Sequence, residues 1–191
     1  MAFPDRIDGR TALAGGASGA GAYVLGYLLV YVTQRGSVEE RLSAFNVITD
    51  LLGGDPIPPW QAVGWLYYNA HFVATRLPGI GGPTTRNFIA SADEGGLTLL
   101  YLLPPLFLLG AGYAVTVVAN AERPEAGAVP GASVVAGYLP LALLGIVAFS
   151  YGTDDGAIAP DAVTAVLLAG LVYPLIFGAI GGAIRGAIAG R

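Results

Sequence analysis

Polar side chains able to do chemistry collect in one stretch, Trp60 to Phe72 (WQAVGWLYYNAHF), which holds both tryptophans, Gln61, Asn69 and the single histidine, His71. An imidazole can take up a proton or bind a metal, and carboxamides can coordinate an ion or fix a solute. On a helix, at about 100° per residue, Ala62, Val63, Leu66, Ala70 and Val73 share one apolar side. Trp60, Gln61, Gly64, Trp65, Tyr67, Tyr68, Asn69, His71 and Phe72 cover the rest. Such a helix cannot face lipid all round, because unpaired amides and an imidazole are costly in hydrocarbon. One reading makes Trp and Tyr the anchors of a packed or interfacial helix whose polar groups bond to neighbours. The other makes Gln61, Asn69 and His71, framed by Trp60, Trp65, Tyr67 and Tyr68, a ligand or ion site. The first asks less of the sequence.

Other chemistries find fewer residues. Gly16-Ala17-Ser18-Gly19 resembles the G-x-S-G nucleophile motif of the rhomboid intramembrane proteases, and Ala70-His71 resembles their later A-H motif. That resemblance implies a Ser18–His71 dyad in which the imidazole takes the hydroxyl proton. The departures are large: rhomboids carry serine and histidine on their fourth and sixth spans, and the glycines after their histidine are missing here. One histidine with no H-E-x-x-H partner completes no zinc site and excludes bis-histidine haem within one chain. Asp154, Asp155 and Asp161 could gather a hard cation, but carboxylates in an acidic loop are more often a solvated surface. Gly79-Ile80-Gly81-Gly82-Pro83 lacks the lysine and helix of a phosphate loop. No catalytic residue, cofactor or metal is therefore assigned, and a non-enzymatic protein is expected.

The elements that must position these residues belong to a membrane. Apolar residues make up 54% of the chain and charged ones 12%, half the share usual in soluble domains. The expected fold is an all-α, polytopic transmembrane helix bundle formed by one integral-membrane domain over residues 1–191. Its spans are read at about 12–33, 57–75, 97–119, 129–150 and 162–184: five, or four if 57–75 does not cross. An uncharged run of span length, with no small-x-small cleavage site after it, reads as a first span and not as a signal peptide. After it, Ser37-Val38-Glu39-Glu40 has the form of a capping box. Val38, Leu42, Phe45, Ile48 and Leu52 then recur at helical spacing, so a short amphipathic surface helix is expected at about 37–52. Residues 76–95 read as a turn-rich loop. Pro104-Pro105, Pro140 and Pro174 should kink or break the spans that hold them.

Glycine supplies the packing signal. Gly178, Gly182, Gly186 and Gly190 stand at successive i, i+4 steps, and Gly15 and Gly19 repeat the spacing in the first span. Their partner is expected to be the first span or another copy of the chain. With the bilayer, a homo-oligomer or a partner membrane protein is therefore the expected company. A net charge of −4 with no basic stripe argues against nucleic acid. On five spans, the arginine-free acidic link after span four favours a cell-membrane protein with its N-terminus out and C-terminus in.

All nine basic residues are arginine and there is no cysteine, which excludes disulfides and thiol chemistry. With the acid excess, this composition suggests a GC-rich, salt-adapted source. The V-G-W-x-Y-Y-N-A-H-F core at Val63–Phe72 and the L-L-Y-x-L-P-P run at Leu99–Pro105, after a first span and an amphipathic loop, resemble an uncharacterised family of small multi-pass membrane proteins of halophilic archaea. The resemblance implies a halophile's cell membrane and no activity. The sequence thus points to an accessory or scaffolding membrane protein associating through glycine-rich faces. A small channel or transporter using Gln61, Asn69 and His71 stands second, and the rhomboid-like protease a remote third.

Overall fold

A computed structural model describes residues 8–51, 54–79, 81–92, 95–153 and 156–191. Among these residues the chain is mostly helical, and four helical stretches are long and apolar enough to cross a membrane: Gly9–Leu51, Gly96–Ala119, Pro124–Ala148 and Ala162–Ala189. The stretch around His71 is not among them. Helix α2, Pro59–Asn69, has 11 residues, about 17 Å at 1.5 Å per residue, against a hydrocarbon core of about 30 Å. Four helices of spanning length are thus described, and residues 57–75 do not form a fifth of that length. If all four cross, both termini lie on one side, which removes the basis for placing the N-terminus out and the C-terminus in.

Helix α1 runs unbroken from Gly9 to Leu51, 43 residues and about 64 Å. A separate surface helix at 37–52 therefore does not form; that segment is the projecting end of α1. The capping box of Ser37 with Glu40 does not form, because Ser37 lies inside the continuous helix, where an ion pair links Arg35 to Glu39. The Glu39 carboxylate takes a 2.7 Å hydrogen bond from Arg35 Nε one turn earlier, bridging the place where the chain was expected to restart. Gly36 costs the helix about 1 kcal/mol, too little to end it alone. Val38 is buried and Leu42 half-buried, while Phe45 and Ile48 are exposed; Leu52 lies outside the described residues.

The prolines act as local devices. Pro104 and Pro105 open α3, Leu103–Ala119, where the missing amide donors would be unpaired in any case, after a 3₁₀ stretch over Gly95–Leu102. The next long helical stretch is built from α4, Pro124–Ala132, and α5, Val135–Ala148, with a break at Ser133–Val134. The last begins with α6, Ala162–Thr164, capped by Asp161. It widens to a π-helix over Ala165–Val172 and continues as α7, Tyr173–Ala189. The widening ends just before Pro174, whose ring would clash with the Gly170 carbonyl in an α-register.

Glycines set the distances between these helices. A methyl group at Gly182 would overlap the Gly127 carbonyl, at Gly112 the Gly178 carbonyl, and at Gly186 and Gly190 the carbonyls of Arg123 and Glu122. The ridge of α7 thus meets α3, α4 and the turn between them, neither the first span nor a surface left open. Gly15 and Gly19 lie against Ser133 and Val134 at the α4–α5 break, and Gly137 lies against Gly16. Thr116 Oγ1 adds a bond across helices to the Gly127 carbonyl at 3.1 Å.

A small sheet, absent from the sequence-based expectation, closes one end. Strands β1 (Thr75–Leu77), β2 (Thr84–Arg86), β3 (Tyr151–Thr153) and β4 (Gly156–Pro160) stand in the order β2-β1-β4-β3, all antiparallel. Thr75 pairs with Arg86 on one side and Pro160 on the other.

Candidate functional site

Helix α2 begins where Pro58 holds an extended conformation and Pro59 occupies the first turn. Every residue from Ala62 to His71 is buried. A helix buried all round must pair its polar groups with protein. Both of its ends attach to the sheet-bearing end of the molecule. Tyr151 on β3 donates to the Asp55 carbonyl before α2, and Thr75 after it pairs with Pro160. The stretch therefore dips into the bundle and returns to the face it entered from.

Its turn back is a Schellman motif, with Phe72 N–H bonded to the Asn69 carbonyl and Val73 N–H to the Tyr68 carbonyl. Phe72 occupies the left-handed position at φ 59°, where glycine or asparagine is usual. The strained backbone turns the Phe72 ring outward to stack on Tyr101, with centroids 4.3 Å apart.

The expected polar trio separates into three tasks. Gln61 Nε2 donates to the carbonyls of Ala148 and Ser150 at 3.2 and 3.0 Å, and Trp65 Nε1 to that of Phe149 at 2.6 Å. One turn apart on α2, these two side chains satisfy carbonyls that the end of α5 leaves without helical partners. Gln61 Oε1 is buried without a donor among the described residues. Asn69 ties the return together: Nδ2 donates to the Val73 carbonyl and Thr75 Oγ1, and Oδ1 accepts from Phe88 N–H at 2.8 Å. Trp60 stays 42% exposed at the entrance, its carbonyl accepting from Tyr27.

His71 belongs to a tyrosine cluster. Its Nδ1 lies 2.8 Å from the Tyr67 carbonyl and its Nε2 2.7 Å from the Tyr138 hydroxyl. A carbonyl can only accept, so the geometry assigns the proton to Nδ1 and makes Tyr138 the donor to Nε2. The Tyr67 hydroxyl, 2.7 Å from that of Tyr138, then donates to it, closing a ring through Tyr67's own backbone. Tyr23 donates to Tyr68 at 3.3 Å, and Tyr68 to the Ala142 carbonyl. Gly145 makes room for both hydroxyls. Edge-to-face contacts of Tyr23 with Tyr67 and Tyr138, both at 5.2 Å, fill the space between.

Chemically, this array could reverse its hydroxyls around a proton on Nε2, because Tyr67 also lies 3.1 Å from the Tyr23 carbonyl. It ends at main-chain carbonyls, so a proton placed on it has no onward carrier. Nor is the serine dyad assembled. Both His71 nitrogens are taken, and Ser18 lines a shallow groove between α1 and α3 with Leu106 and Phe107. Of the acidic cluster, Asp161 caps α6, while Asp154 and Asp155 lie outside the described residues.

A family model for proteins of unknown function matches residues 4–189, nearly the whole chain. The chain belongs to the family DUF7978. No curated protein and no solved structure matches it. For this DUF7978 chain the site must therefore be argued from its own residues. Sequence reasoning missed Tyr23 and Tyr138, the partners that complete the His71 ring. Tyr138 is the one tyrosine of its span, whereas Tyr23 stands with Tyr27 and Tyr31 at i, i+4, i+8 spacing, and that stripe was the available signal.

Proposed function

We propose that the protein is a non-enzymatic integral membrane protein, an accessory or scaffolding component held in a rigid four-helix frame. The observation that carries this reading is the internal pairing of Asn69, His71 and the amide nitrogen of Gln61. Side chains that serve a permeant ion or solute must exchange partners with it, whereas these bind backbone carbonyls and one another. The cavity beside α2 is lined by Ala62, Trp65 and Leu66 but not by Gln61, Asn69 or His71. Because the glycine ridges are occupied within the chain, association uses other surfaces: the acidic face with its sheet, and the projecting end of α1.

Charge gives this frame an orientation. Among the described residues, Arg10, Arg123, Arg185 and Arg191 stand on one side with Asp8, Glu122 and Glu125; the sheet side carries Arg35, Arg41, Arg76 and Arg86 with Glu39, Glu40, Asp50, Asp55 and Asp161. The arginines divide evenly, and the larger share of acids on the sheet side favours both termini inside and the sheet outside. An acidic outer face fits a salt-rich exterior.

Single cysteines at Gln61, Asn69 and His71, in this cysteine-free chain, test the reading with a charged thiol reagent applied from each side of a vesicle. Silence from both sides, with no ion flux above empty vesicles, is the expected result. Strong labelling at Asn69 and His71 would instead establish a water-lined path and favour the channel.

A further inference from the structure

The end of α1 that projects past its uncharged run, the outer side of α2 and the turn after β2 enclose a cavity of about 550 Å³. That volume is ample for part of a lipid or another small ligand. Its walls divide by chemistry. Trp65, Leu66, Phe88 and Leu97 make an apolar surface, whereas the basic residues Arg41 and Arg86 line the same space.

These arginines stand apart from their surroundings. The sheet side of the chain is rich in carboxylates, and Arg35, one turn and a half before Arg41, is paired with Glu39 at 2.7 Å. Yet among the described residues neither Arg41 nor Arg86 has an ion pair. Arg86 is held in place by Ser91, which accepts from its Nε at 3.0 Å, and by the Phe88 ring below the guanidinium carbon at 5.9 Å. Among the described residues its terminal nitrogens have no hydrogen-bond partner, and they suit the two-pronged contact that guanidinium makes with phosphate.

The cavity's depth identifies the occupant. Gln34, on its wall, follows the uncharged run Ala12–Thr33, and Leu97 opens the uncharged run that continues to Asn120. The cavity thus lies where hydrocarbon-length apolar sequence gives way to charge, the level of lipid headgroups. We propose that it binds an anionic phospholipid, Arg41 and Arg86 holding the headgroup phosphate and the Trp65–Leu66–Leu97 surface receiving the start of an acyl or alkyl chain. A free soluble anion would use the arginines but leave that apolar surface unused.

Trp65 reports occupancy directly. In full-length protein carrying Trp60→Phe, reconstituted in mixed micelles, its fluorescence is titrated with chain-brominated phosphatidylglycerol and separately with chain-brominated phosphatidylcholine. The expected result is quenching at an at least ten-fold lower fraction of phosphatidylglycerol. That preference should disappear in Arg41→Gln/Arg86→Gln with an unchanged melting temperature, and persist in Arg35→Gln. Equal quenching by the two lipids, a preference surviving the double substitution, or one lost equally in Arg35→Gln would each overturn the proposal. So would displacement of phosphatidylglycerol by an equal concentration of glycerol phosphate, which would make the cavity a site for soluble anions.

Discussion

The contact of α7 with α3 and α4 and the contact of α2 with α1 and α5 hold helices together by opposite means. The first is almost bare of side chains: Gly112, Gly127, Gly178, Gly182 and Gly186 let backbones touch. The second is crowded with the hydroxyls and rings of Tyr23, Tyr67, Tyr68, Tyr138 and His71. In lipid little is gained by hiding apolar surface from water, so packing and internal hydrogen bonds remain as the cohesive forces. The glycine contact exploits packing and tolerates no added atom. The tyrosine contact exploits hydrogen bonds and tolerates changes that keep shape, losing a bond at a time.

Substitutions that respect this distinction should separate the two regions. Gly182→Val drives a branched side chain into the Gly127 backbone, and a loss of about 3 kcal/mol or more is expected, seen as loss of monodisperse protein or a collapsed melting curve in detergent. Tyr138→Phe keeps the ring but strands Nε2 of His71, while the Tyr67 hydroxyl can turn to the Tyr23 carbonyl, a cost of about 1–2 kcal/mol. A double-substitution cycle with His71→Phe should return a coupling of about 0.6–1.7 kcal/mol in unfolding measurements. Additivity there would remove the hydrogen-bonded ring from the account. Trp65→Phe gives up the bond to the Phe149 carbonyl and should cost about 1 kcal/mol. Gly21→Ala sharpens the comparison from the other side. Nothing lies within 4 Å of a methyl group there, so the helix should gain about 0.5–1 kcal/mol.

The smallest effect lies at the edge of both regions. Asp8 accepts hydrogen bonds from Thr11, with the Thr11 N–H at 2.7 Å, and these hold its carboxyl below the usual carboxylate range. A depressed folded-state value means the cap supports the first turn of α1 at pH above about 3.9 and is lost as pH falls through the lower folded value. Amide exchange at Thr11 should accordingly quicken, relative to its intrinsic rate, in strong acid but not between pH 5 and 8.

Much of the frame was legible because helices of membrane length announce themselves by uncharged runs, as Gly96–Ala119 does. The singular character of Trp60–Phe72 was legible too, since Gln61, Asn69 and His71 have no place against lipid. Its length was not. The apolar pattern runs on through Val73, and only the left-handed turn at Phe72, which no glycine marks, ends the helix. The break expected at Ser37 rested on a local motif, and α1 runs on through it, with Arg35 and Glu39 paired across the place. Strands of three to five residues such as Thr75–Leu77 are too short to show periodicity, and they exist because Pro160 and Arg86 come from afar to pair with them. Spacing marked the α7 glycines as a packing face, but their partners follow from the order of the helices, which spacing does not encode.

The account turns on α2 entering and leaving by the same face. Single cysteines at the exposed positions Asp55 and Arg76, labelled in sealed vesicles of known orientation with a reagent that does not cross the membrane, decide this most directly. Labelling of both from the same side is the predicted result. Labelling of Asp55 from one side and Arg76 from the other would make residues 57–75 a true crossing and contradict the four-helix frame.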